Sequence, residues 1–162
     1  MTRAAVLTVS TTLSGGGGAD PSRPTEDASG PELVRLCEEA GLEVTHEVVP
    51  DDREVIGEAL ARLADREGCR FIFTTGGTGL TPDDVTPEAT RDVIDREAPG
   101  FAEAIRVESR NHTPLGILTR GVSGVRGRTL IVNFPGSPKA IGQSWPVVGP
   151  TLKHAAQTLE RG

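Results

Sequence analysis

Three short runs constrain this chain most: AAVLTVS at 4–10, CRFIFTT at 69–75 and TLIVNF at Thr129–Phe134. Each is dominated by apolar residues, many of them β-branched or aromatic, and none alternates apolar with polar. Strands buried on both faces of a parallel sheet read this way, whereas half-exposed strands alternate. The segments between them carry the helical period. Leu33, Leu36, Cys37 and Ala40 recur at that spacing before Gly41, as do Val55, Ile56, Ala59, Leu60 and Leu63. Residues 42–49 read as a further strand. Strand and helix therefore alternate from the start, which predicts an α/β three-layer sandwich with a mostly parallel sheet and helices on both faces. At 162 residues and 36% hydrophobic, one domain over 1–162 is expected.

The local signals refine the elements. Ser29 with Glu32, and Asp51 with Glu54, have the spacing of capping boxes. Thr86 followed by Pro87 predicts a third helix start, and Pro99-Gly100 its end, with another helix over about 101–110. The glycine-punctuated stretch 116–128 suits a short antiparallel excursion. Residues 11–28, which include the run GGGG at 15–18, are expected to be a flexible loop that acts as a linker or a binding lid.

Charge and cysteine usage exclude several classes. There are 17 basic and 23 acidic residues, a net charge of −6, which argues against a general nucleic-acid or membrane-surface binder. It does not exclude an anionic substrate held by backbone N–H groups and a metal ion. No apolar run reaches the roughly 18–20 residues of a membrane span. Cys37 and Cys69 are far apart in the chain and read as core residues of a reducing, cytoplasmic compartment. His46, His112 and His154 lack metal-ligand spacing.

Ligands of open α/β sheets bind at the carboxyl ends of the strands, so the loops there are where chemistry is expected. TTGGTG at 74–79 holds three glycines within four positions, flanked by threonine hydroxyls. Such a loop lets backbone N–H groups approach phosphate oxygens, and it reads equally as a tight turn needing positive φ. It lacks the Lys-Ser/Thr pair of a Walker loop and is not a G-x-G-x-x-G fingerprint. Asp83-Asp84 follows; carboxylates beside a phosphate cradle suit Mg²⁺, and equally suit a helix dipole. Pro135-Gly136-Ser137-Pro138 opens a helix whose N–H groups are free, with Ser137 as a cap and Lys139 facing an anion. Asp51 ends the second strand and reads as an N-cap or as a site residue.

Together these segments carry a resemblance. VVPDD at 48–52, TTGGTGLTPDDVTPEAT at 74–90 and NFPGSPKA at 133–140, with DASGPEL at 27–33 and TRGVSGVRGRTLIVN at 119–133, resemble the molybdenum-cofactor biosynthesis family of the MoaB/Mog type. The resemblance covers nearly the whole chain. It implies a homotrimer that adenylylates molybdopterin, taking AMP from MgATP and releasing pyrophosphate. A non-catalytic molybdopterin carrier or regulatory protein of the same fold is the alternative. By the resemblance, Asp51 and Asp84 are catalytic and Asp84 holds Mg²⁺. Thr75, Gly76, Gly77, Thr78, Gly79, Pro135, Gly136, Ser137 and Pro138 contact the nucleotide and pterin. Ser109, Arg110, Thr119 and Arg120 are candidate walls. A molybdate-insertion enzyme is the implied downstream partner. Related domains in molybdate-insertion and competence-damage-type proteins normally carry further domains, so a chain of this length is expected to be the stand-alone enzyme. Two positions depart from the family pattern. Ser10-Thr11-Thr12 stands where Ser-Asp-Arg is frequent, and Asp83 stands where a basic residue is frequent.

Overall fold

The three apolar runs lie side by side. In the computed structural model, which describes residues 1–15 and 26–161, β1 (Arg3–Val9), β3 (Phe71–Thr75) and β6 (Thr129–Phe134) form the middle of a six-stranded sheet. β2 (Glu43–Val49) pairs parallel to β1 on the outer side, with Val9 opposite Val49. β1 pairs parallel to β3, and β3 to β6. The far edge is antiparallel: β5 (Ser123–Arg126) runs back along β6, and the two-residue β4 (Arg96–Glu97) pairs with β5. The predicted excursion is therefore a hairpin strand.

Successive residues of the central strands feed opposite cores. Ala4, Val6, Phe71, Phe73, Leu130, Val132 and Phe134 pack beneath α1 (Ser29–Glu39), α4 (Gly100–His112), α5 (Pro138–Val148) and α6 (Leu152–Leu159). Ala5, Leu7, Val9, Ile72 and Ile131 pack beneath α2 (Arg53–Asp65) and α3 (Thr86–Val93). This is the three-layer sandwich expected from strands that are apolar at every position. Phe73 anchors the first core, with Phe134 at 5.6 Å and Trp145 at 5.8 Å, both edge-on.

The strand order β2-β1-β3-β6-β5-β4 reverses direction at β1. The chain leaves β1 for β2 on one side and returns from β2 to β3 on the other. A crevice opens at the carboxyl ends of β1 and β3, the topological switch point where such sheets bind ligands.

Four local expectations change. α1 begins one residue earlier than expected, so Ser29 is helical and caps nothing; Asp27 Oδ1 accepts from the Gly30 N–H at 2.8 Å instead. α2 is capped by Asp52, which accepts from the Val55 N–H at 3.0 Å, so Asp51 is not the cap. Thr86 is the first residue of α3 rather than its cap, and its hydroxyl turns toward the glycine loop. That helix ends at Val93, not at Pro99, because the chain goes on to pair β4 with β5. Ser137 does cap α5, accepting from the Ala140 N–H at 3.1 Å. Of the expected flexible loop 11–28, residues 16–25 lie outside the described residues. Among the described residues no helix is long and apolar enough to cross a membrane, and both cysteines are free and buried.

Candidate functional site

The glycine loop follows β3 directly. Gly76 (φ +97°) and Gly77 (φ +70°) are both left-handed, a conformation side chains resist. Space forbids side chains too: a Cβ on Gly76 would strike the Val9 carbonyl oxygen of β1, and one on Gly77 would strike the Thr86 hydroxyl. The loop thus lies flat over the switch point. Thr86 holds it there, donating from Oγ1 to the Gly76 carbonyl (3.0 Å) and from its N–H to the Gly77 carbonyl (3.1 Å).

The turn after β6 joins the same surface. Thr75 Oγ1 donates to the Pro135 carbonyl at 2.7 Å, and a Cβ on Gly136 would sit 3.5 Å from Gly76 Cα. Gly76 and Gly136 form a shared backbone ridge. A cavity of about 330 Å³ lies on one side of it, lined by Thr8, Ser10, Asp27, Ser29, Thr75 and Ser137 among others. One of about 290 Å³ lies on the other, lined by Gly77, Thr78, Gly79, Asp84 and Thr119. Gly76 and Gly136 line both. A larger hollow of about 600 Å³ runs along α2 and includes none of these loop residues. Size alone would favour it, but the convergent polar groups lie at the ridge.

The two aspartates approach the loop from different turns. Asp84 Oδ2 accepts from the Thr81 N–H (3.1 Å) and hydroxyl (2.8 Å), and a Cβ on Gly79 would lie 2.7 Å from it. Asp51 stands behind the loop. Its Oδ2 accepts from both the N–H and the hydroxyl of Thr11, each at 3.0 Å, and its Oδ1 would be 3.2 Å from a Cβ on Gly77.

Arg120 ties the loop to the Asp84 turn, a role residue pattern alone does not reveal. Its Nε donates to the Gly79 carbonyl and its Nη2 to the Asp84 carbonyl, each at 2.7 Å. Both terminal nitrogens also meet the Glu88 carboxylate, at 2.9 and 3.0 Å. This guanidinium holds the Glu88 carboxyl below the usual carboxylate range against a smaller opposing effect of burial. Thr119 donates to the buried Thr78 hydroxyl at 3.2 Å. Of the candidate walls, Thr119 faces a ridge cavity, but Ser109 is buried beside Gly116 and Arg110 is exposed, and neither lines either of the two ridge cavities.

Two further networks were not foreseen. Asn133, at 2% exposure inside β6, donates to Thr74 Oγ1 (3.0 Å) and Thr90 Oγ1 (3.1 Å) and accepts from the Val122 N–H (3.0 Å). It braces β3 against α3 behind the loop. Thr8 Oγ1 donates to Asp27 Oδ2 at 2.7 Å and lies 2.9 Å from His46 Nε2, closing the wall of the larger ridge cavity. The motif strings contain Asn133 and Asp27, yet neither role follows from local spacing.

Among the described residues there is no group of three or more His, Cys, Asp or Glu that could hold a metal. One or two carboxylates beside a phosphate cradle is the arrangement Mg²⁺ takes when shared with a substrate's phosphates. Asp84, over the glycine loop, fits that arrangement.

A mostly parallel α/β sheet with a glycine loop, a helix-opening turn and two flanking acids at its switch point is the kind of architecture in which phosphate-bearing ligands are bound. Its family is specific. Residues 5–154 match the family described as "Probable molybdopterin binding domain", and the chain belongs to it. A protein named molybdopterin adenylyltransferase from Helicobacter pylori strain J99 is 36% identical over 137 residues, covering 83% of this chain and 78% of that protein. The molybdenum cofactor synthesis protein cinnamon of Drosophila melanogaster is 42% identical over 138 residues; the match covers 84% of this chain but only 23% of that longer protein. The crystal structure of the molybdopterin biosynthesis enzyme MoaB from Thermus thermophilus superposes with a TM-score of 0.87 at 44% identity, covering 100% of this chain and 98% of that one.

Proposed function

We propose that this chain transfers AMP from MgATP to molybdopterin, giving adenylylated molybdopterin and pyrophosphate. The observation that carries the reading is the ridge of Gly76 and Gly136, flanked by a cavity on each side and overlooked by Asp84. One substrate enters each cavity, and their phosphates meet over the ridge. An oxygen of the pterin phosphate attacks the α-phosphorus of ATP. The new P–O bond forms as the bond to the β-phosphate oxygen breaks, and pyrophosphate leaves. No side-chain nucleophile is required, so the protein contributes position and charge neutralisation.

Backbone N–H groups of residues 76–79 and of Gly136 and Ser137 hold phosphate oxygens, with Thr75 and Thr78 shaping the cradle. Asp84 would hold Mg²⁺ against the triphosphate, whose charge the ion would neutralise, while Asp51 flanks the loop from behind. Arg120 keeps Gly79 and Asp84 in register through their carbonyls. The test is pyrophosphate release by purified protein given molybdopterin and MgATP. Release that depends on molybdopterin supports the reading. Molybdopterin binding without release overturns it in favour of a carrier.

The proposal extends to assembly and location. Val107 (67% exposed), Leu115 (67%) and Ile117 (60%) place large apolar side chains on the surface of α4 and the turn after it. Large apolar side chains exposed on neighbouring elements suit a subunit interface, in line with a homotrimer. Ile117→Glu is expected to yield monomers in sedimentation, and an unchanged species would sink this part. The free, buried cysteines suit a cytoplasmic protein, and a molybdate-insertion enzyme is the proposed recipient of the product.

A further inference from the structure

Thr11 lies just past the carboxyl end of β1, in direct contact with Asp51. The contact is reciprocal. The Asp51 N–H donates to Thr11 Oγ1 at 3.0 Å, while Thr11 Oγ1 and the Thr11 N–H both donate to Asp51 Oδ2 at 3.0 Å. One hydroxyl therefore grips both the backbone and the carboxylate of the same residue. Between them they set the Asp51 side-chain torsion.

The grip has a direction. Among the described residues, both hydrogen bonds to the Asp51 carboxylate fall on Oδ2, and Oδ1 is the oxygen nearest Gly77. Asp52 supplies the cap of α2, so Asp51 is not needed to start that helix. Register between the strands delivers the two partners: Val9 pairs with Val49, and the Ser10 N–H donates to the Val49 carbonyl at 2.8 Å. An aspartate at position 11 would set two carboxylates against each other, whereas a threonine donates to the one already there.

We infer that Thr11 is a positioning residue for AMP transfer, its hydroxyl aiming Asp51 Oδ1 at the glycine loop. This rests on the proposed role of Asp51. Thr11→Val keeps the shape and the backbone N–H bond but removes the hydroxyl. Thr11→Ser keeps the hydroxyl.

The experiment measures steady-state pyrophosphate release with molybdopterin and MgATP for wild type, Thr11→Val, Thr11→Ser and Asp51→Asn, with circular dichroism confirming that each is folded. Thr11→Val is expected to lower kcat about tenfold while KM for both substrates stays within about twofold, because an aiming defect touches the reacting geometry and not the binding surface. Thr11→Ser is expected to stay within about twofold of wild type in both. A wild-type kcat for Thr11→Val, with Asp51→Asn impaired, overturns the role of Thr11 alone. An equal loss in Thr11→Ser also overturns it, since the methyl rather than the hydroxyl would then matter. Full activity in Asp51→Asn overturns the Asp51 reading itself, and the inference with it.

Discussion

Asp51 and Asp84 flank the same glycine loop, yet their carboxylates are held by opposite means. The Asp84 carboxylate is held by Thr81, three residues away within one turn. Asp51 is held by Thr11, forty residues away, in the turn just past the end of β1. The first geometry is local and survives loosening of the sheet. The second exists only while β1 and β2 keep their register. The difference teaches that a site can place one acid by turn chemistry and the other by topology, and that the two should respond to different perturbations.

The largest expected effect tests whether the two acids matter alike. Asp84→Asn and Asp51→Asn should each slow AMP transfer on the order of 10²–10³-fold, the usual loss on removing one charge-stabilising group. Single-turnover kinetics would show it, and a loss confined to one of them would break the symmetry of role.

Next is Arg120→Ala. It removes the bonds to the Gly79 and Asp84 carbonyls and leaves Glu88 without its partner. About 2 kcal/mol of stability should go, a modest figure because the pair is partly exposed, lowering Tm by roughly 4–8 °C in a chain of this size. Calorimetry checks this. The loop beside Asp84 should loosen while the Thr11–Asp51 contact persists.

Thr81→Val is smaller again. The Thr81 N–H still holds Asp84 Oδ2, so the rate should fall less than about threefold, against about tenfold for Thr11→Val. A reversed order would show that topology, not local turn chemistry, holds the more tolerant acid.

The smallest effect is a pH dependence. Arg120 depresses the folded-state pKa of Glu88. The stability this contributes is fully present above the ordinary glutamate value near about 4.3 and is lost as pH falls through the lowered folded value. Glu88→Gln should therefore be less stable than wild type at neutral pH, by less than about 1 kcal/mol, with the gap closing in acid. Urea titrations at several pH values measure it.

The legibility of the chain follows the same division between local and topological. Thr129–Phe134 forms a strand from its first to its last residue, because an unbroken apolar run has one stable place in a layered fold. Gly41 ends α1 in the left-handed conformation (φ +83°), and Ser137 caps α5, because both signals act within one turn. The need of the glycine loop for positive φ was readable in the same way, and Gly76 and Gly77 adopt it. What spacing could not reveal depends on partners far away in sequence. Asp51 and Asp52 are indistinguishable as caps until Thr11 claims one of them. Asn133 is a lone polar residue in an apolar strand run until Thr74 and Thr90 surround it. Arg120 is one basic residue among 17 until the fold brings it to Gly79. β4 has only two residues and pairs with a strand not yet made, so no local pattern announces it.

The central claim is that the ridge of Gly76 and Gly136 is where the phosphates meet. A crystal structure of the chain with ATP bound tests it most directly. The α-phosphate is expected within hydrogen-bonding distance of backbone N–H groups in residues 76–79, with the Asp84 carboxylate beside the triphosphate. A nucleotide seated in the larger hollow along α2, or anywhere away from the glycine loop and Asp84, would contradict it.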